Sequence, residues 1–166
     1  MPVSNQGPAC AVVLAGPINT GSGADCTTVS SYSNGANATT VNITAGSASI
    51  RGSTTSGASL QMVPFTFAFA MSQSGHIGTG TFSNATPGLS GSVAITNAGS
   101  ASYMASAGAG NNVGTFTLTI AKSATLTNTA NGTAYLIDGT LDATVPAVTA
   151  SGATGAVTVH TTFRNN

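Results

Sequence analysis

Between Val113 and Ile120 the chain reads Val-Gly-Thr-Phe-Thr-Leu-Thr-Ile. An extended strand would put Val113, Thr115, Thr117 and Thr119 on one side and Phe116, Leu118 and Ile120 on the other. Alternation of this kind marks a strand with one face in a core. The same period runs through Ala9 to Leu14, Thr39 to Ile50, Leu60 to Met71, His76 to Phe82, Ser92 to Thr96, Ala101 to Ala105, Ala134 to Val145 and Ala156 to Phe163. Within Met62 to Met71, the strongest core strand, Phe65, Phe67 and Phe69 share one side, and aromatics so placed bury a large area. Pro64 sets the start of that strand at an edge or a bulge. No window repeats apolar residues at the three and four spacing of an amphipathic helix.

Turn clusters separate the runs: Ser33-Asn34-Gly35, Pro87-Gly88, Asn131-Gly132 and Asp138-Gly139. Asn131-Gly132 is the clearest hairpin signal, because both residues accept positive φ. The pattern predicts an all-β fold, an antiparallel β-sandwich of jelly-roll or Ig-like type with about nine or ten strands. Residues 1–166 read as a single β-sandwich domain, since no linker and no fixed-period repeat divides them.

Composition then narrows what such a fold can do. Hydrophobic residues make up 41% of the chain and charged residues 4%, against a usual charged share of about a quarter. A chain this apolar folds, but its solvent face must be built from Ser, Thr, Asn, Gly and Ala. The charges are Asp25, Arg51, Lys122, Asp138, Asp142 and Arg164, and a nucleic-acid partner would require clustered cations. No apolar run reaches the ~18 residues of a membrane-spanning helix. A surface with little net charge tolerates contact with copies of itself, as extracellular structural proteins do.

Cys10 and Cys26 are the two cysteines. They are too few for a four-ligand zinc cluster, and a disulfide between them would close a short loop and imply an oxidising compartment. Met1-Pro2-Val3-Ser4 has neither a basic nor an apolar leader region, so the chain reads as a mature protein with an added start Met.

Candidate chemistry is sparse, and no cofactor is implied. A hydrolytic triad could be drawn from His76 or His160, Asp138 or Asp142, and a serine, but no nucleophile elbow accompanies it. Alternation around Val157 and Val159 makes His160 an exposed strand histidine. Asp138 and Asp142 would point to one side of a strand, as a calcium site could use, although calcium wants six to eight oxygens. Lys122, the one lysine, could cross-link to an asparagine beside a buried acid such as Asp138; a solvated strand end is the simpler reading. Thr115, Thr117 and Thr119, with Thr125, Thr127 and Thr129, form two every-other-residue rows suited to ice or a polysaccharide surface, and are equally the ordinary solvent side of a strand. Sugar stacking would need exposed aromatics, and only Tyr32, Tyr103 and Tyr135 are available besides Phe. Asn37, Asn42, Asn84 and Asn131 sit in glycosylation sequons, which a chain so rich in Asn and Thr produces by composition.

The early Cys10-to-Cys26 hairpin with Ala11-Val12-Val13-Leu14-Ala15-Gly16 is followed by Gly114-Thr115-Phe116-Thr117-Leu118-Thr119, then Gly139-Thr140-Leu141-Asp142-Ala143-Thr144-Val145-Pro146, and a closing strand from Gly152 to Phe163. In this order of elements the chain resembles a group of secreted bacterial β-domains of unknown function found as lipoproteins or surface proteins. The resemblance implies a surface-located sandwich and no activity. The expected function is a noncatalytic extracellular or cell-surface structural module that self-assembles through strand edges lacking Lys or Glu guards. The alternative is a carbohydrate-, ice- or other ligand-binding sandwich.

Overall fold

The computed structural model describes residues 9–21, 23–34, 38–50, 64–74, 78–97, 99–108 and 112–164. Among these residues ten strands are present: β1 (Ala9–Ala15), β2 (Ala24–Asn34), β3 (Ala38–Ile50), β4 (Phe65–Ser74), β5 (Gly80–Ser83), β6 (Leu89–Asn97), β7 (Ser102–Ala107), β8 (Thr115–Thr129), β9 (Gly132–Pro146) and β10 (Ala156–Arg164). One turn of 3-10 helix, Thr149–Ser151, lies between β9 and β10. No helix among the described residues is long and apolar enough to cross a membrane.

All pairings between the strands are antiparallel, and they run in one ladder, β5-β8-β9-β10-β1-β2-β3-β4-β6-β7. The ladder also closes on itself. The edge of β9 away from β8 pairs with β10 over Asp138–Pro146 and, nearer its start, with β2 through Ser31↔Tyr135, Tyr32↔Ala134 and Ser33↔Thr133. Strand β2 likewise divides one edge between β1, at Ala24 and Asp25, and β9. Strands β9, β10, β1 and β2 therefore form a closed ring, where the alternation pattern had predicted two separate sheets. The length of β9, fifteen residues, makes this geometry available: it outruns β10 and its free end reaches β2.

The inward positions form one core. Phe65, Phe67, Phe69 and Met71 of β4 pack with Val41 and Ile43 of β3, Val93 and Ile95 of β6, and Phe116, Leu118 and Ile120 of β8. Phe69 and Phe116 meet edge to face, with ring centroids 5.5 Å apart, and a side chain added at Gly91 of β6 would lie 3.0 Å from the Phe116 ring. The β4–β6 arm thus covers the inner face of β8. Pro64 immediately precedes β4, which is flanked by β3 and β6 and is an internal strand; residues 60–63 lie outside the described set.

Asp138-Gly139 is not a turn but the middle of β9, where a side chain on Gly139 would run into the Thr119 carbonyl and the Phe163 ring. Val113 lies outside β8 and bridges to Ser106 instead. Ala24–Asn34, which carries no apolar alternation, is strand β2. The hairpin near Asn131-Gly132 is where expected, but its turn residues are Ala130 and Asn131, with Gly132 opening β9 at φ +152°. Ser100 is the one non-glycine residue with positive φ among those described, so Asn131 does not adopt it.

Candidate interaction faces

Residues paired across an antiparallel ladder point to the same side, so the registers assign the outer faces residue by residue. On the β5-β8-β9-β10-β1 arm the outward positions form four cross-strand rows. Thr115, Thr144, Thr158 and Ala15 make the first, and Ser83, Thr117, Asp142, His160 and Val13 the second. The third holds Thr81, Thr119, Thr140, Thr162 and Ala11, with Asp25 of β2 opposite Ala11. Lys122, Asp138 and Arg164 make the fourth. Every charged side chain among the described residues is on this face or at its margin; Arg51 and His76 lie outside the described residues.

The opposite arm presents a different surface. Its outward rows include Thr28, Thr44, Ala68, Ala94 and Met104, then Ser30, Asn42, Ala70, Ser92 and Ser106, then Tyr32, Thr40, Ser72 and Ser90. None of these residues carries charge.

At the centre of the first face, His160 Nδ1 and Asp142 Oδ1 are 2.6 Å apart, with side chains 56% and 59% exposed. Val13, Thr115, Thr117 and Thr158 complete a shallow, open hollow around them. An acid and an imidazole form two thirds of a hydrolytic triad, but this pair stands in solvent on an open sheet, without the enclosure that strengthens such charges. Asp138 and Asp142 do share the face, as the sequence predicted. Four residues of strand separate them by about 14 Å, too far for one calcium ion, and no group of three His, Cys, Asp or Glu among the described residues could hold a metal. Lys122 is exposed and opposite Asp138, without the burial that an amide cross-link requires.

The two threonine rows behave differently. Thr115, Thr117 and Thr119 lie on the outer face. Register shifts between Ile120 and Lys122 and between Thr125 and Thr127 then reverse the side chains twice, so that Thr125 shares the side of Tyr135 and Ile137 while Thr127 and Thr129 return outward. What sequence periodicity missed is the ladder across strands: Thr81, Thr119, Thr140 and Thr162 stand side by side on four of them.

Cys10 and Cys26 are joined as a disulfide, with Cα atoms 5.3 Å apart, and no free cysteine is found. Among the tyrosines, Tyr103 is buried, Tyr135 is half-buried, and exposed Tyr32 donates a hydrogen bond to the Asn131 carbonyl at 2.6 Å. They do not form one stacking surface. Of the sequon asparagines, Asn84 is a structural clamp, accepting from Phe116 N at 2.6 Å and donating to the Ser106 carbonyl at 3.0 Å. Asn42 is half-buried on β3, Asn131 is at the hairpin tip, and Asn37 lies outside the described residues.

The two ends of the ladder differ: β7 is bonded along its outer edge, whereas β5 leaves β8 without a strand neighbour on that edge from Ala121 to Thr129 among the described residues. Strand β5 is four residues long. On β7, Ser102 N donates to Ser151 Oγ at 2.9 Å, its carbonyl accepts from Val148 N at 2.8 Å, and Ser106 exchanges two hydrogen bonds with Val113 at 2.8 and 3.0 Å. Comparison with protein-family models, curated proteins and solved structures finds no match to this chain.

Proposed function

We propose that this protein is a noncatalytic structural or surface module that works outside the cell, built as one antiparallel ladder, closed at a four-strand ring, whose two arms each present one broad outer face to partners. The observation that carries the reading is the partition of charge between those faces. An uncharged face of Ala, Ser and Thr can be covered by a partner without stripping water from any ion, whose desolvation would be the largest cost of contact. Strand edges remain a second route to self-association: the β7 edge is bonded, but β5 covers β8 only over Thr117–Ile120, and among the described residues that edge of β8 carries no strand pairing from Ala121 to Thr129. The disulfide favours an oxidising compartment, and the resemblance to secreted surface domains agrees with it. The test is fractionation of the cells that make the protein, with thiol labelling before lysis. Recovery at the surface or in the medium with both cysteines unreactive is expected; cytosolic protein with two reactive thiols overturns the reading.

A second reading, binding of a polysaccharide or of ice, is favoured by the four-threonine row of Thr81, Thr119, Thr140 and Thr162, at the regular spacing of about 4.8 Å between strands. Retention on insoluble polysaccharide, or ice shaping in a thermal hysteresis assay, would support it; failure of both removes it.

A further inference from the structure

The charged face is complementary to itself. On the adjacent strands β9 and β10 the register pairs Asp138 with Arg164, Thr140 with Thr162, Asp142 with His160 and Thr144 with Thr158. Within these pairs each acid is on β9 and each base on β10, while Lys122 of β8 flanks Asp138 in its row and Asp25 of β2 stands at the margin. A two-fold axis running along the strands, in the plane above this face and between β9 and β10, exchanges the two strands while keeping every row at its own level. A second copy placed by that axis sets Asp138 against Arg164 of its mate, Asp142 against His160, and threonine against threonine in the rows between. An axis across the strands would instead oppose acid to acid and base to base.

We propose that this face is the contact of an isologous homodimer, with a second copy of the chain as its occupant. Closed two-fold contacts use one patch twice, and sheets packed face to face keep their strands within about 30° of each other, as this axis requires. The outward side chains at the centre, from Thr140 to Thr144 and from Thr158 to Thr162, are short enough, His160 apart, for two sheets to approach. Even laid flat, five strands and four rows span about 19 by 20 Å, and the closed ring curves the face further, so the contact falls below the ~800 Å² per partner of a standard interface. The dimer is therefore weak and rapidly exchanging. Charges this exposed set orientation more than affinity. Such a dimer rests on the proposed action through sheet faces and leaves the uncharged faces outermost on both sides of the pair.

Sedimentation equilibrium of the disulfide-intact chain tests it with charge exchange. D138R places arginine opposite Arg164 of the mate and R164D places aspartate opposite Asp138, so each variant alone faces like charges. Mixed together they are complementary at both contacts. The wild type is expected to approach twice its monomer mass with rising concentration, each variant to weaken association by about tenfold or more, and the mixture to regain it. Circular dichroism checks that the variants fold; should one fail, D142K and H160D repeat the exchange one level along the strands. A wild type that stays monomeric at millimolar concentration, or a mixture no stronger than its components, overturns the dimer. Neither result touches the location test above, which decides the functional reading separately.

Discussion

Thr161 is fully buried inside the β9-β10-β1-β2 ring, paired in register with Leu141 and Val12, and its hydroxyl oxygen finds no hydrogen-bond partner among the described residues. A hydroxyl left dry costs about 1–3 kcal/mol, and valine has the same shape without it. Thr161→Val should therefore raise stability in urea by about 1 kcal/mol or more; a loss of stability would mean the hydroxyl is satisfied by a buried water. Where β9 begins beside β2, Gly132 is held at φ +152° against the Tyr32 ring, its hydroxyl and the Ser33 carbonyl. A methyl group at this position strikes all three. Gly132→Ala should cost about 2–4 kcal/mol from strain and overpacking combined. Tyr32→Phe, which removes only the hydrogen bond to Asn131, should cost about 1 kcal/mol. Urea denaturation of the two variants separates the close approach from the hydrogen bond.

Strands whose cores are aliphatic or aromatic were legible from their sequence: Phe65, Phe67 and Phe69 are buried as the alternation required, and Phe116, Leu118 and Ile120 likewise. Strand β2 was not, for a physical reason. Its inward positions include Ser31 and Ser33, and register shifts around Cys26 move the buried positions from Ala24 to Val29, so no single period of two survives. The bulges in β8 hid the fate of Thr125 in the same way, since nothing local announces an extra residue. Asp138-Gly139 imitates a turn because close approach by a neighbouring strand selects glycine as strongly as a turn does. The candidate face was half visible: Asp138, Thr140, Asp142 and Thr144 alternate along one segment and Thr158, His160, Thr162 and Arg164 along another, but only the register joins them. The disulfide belongs to this scale too. Strands β1 and β2 share two register pairs, Ala11↔Asp25 and Val12↔Ala24, so Cys10–Cys26 supplies much of their connection. Replacing both cysteines with serine should lower stability by about 3 kcal/mol, the loop-closure value for a sequence separation of 16. Chemical denaturation with and without reductant checks this: the reduced wild type should match the double variant.

For the whole molecule, an uninterrupted ladder with one core should lose its structure as a unit. Calorimetry is expected to show a single transition whose measured and van't Hoff enthalpies agree; two resolved transitions would mean that the ring and the β3–β7 arm melt separately. The ring has a further consequence, in time. Strand β10, the last to be synthesised, inserts between β1, the first, and β9. Until it arrives, β1 has almost no backbone partner, so a nascent chain cannot lock its earliest segment in place. Contacts spanning nearly the entire described chain make folding slow, on the order of milliseconds to seconds, which leaves an interval in which the polypeptide is still loose and open to proteases.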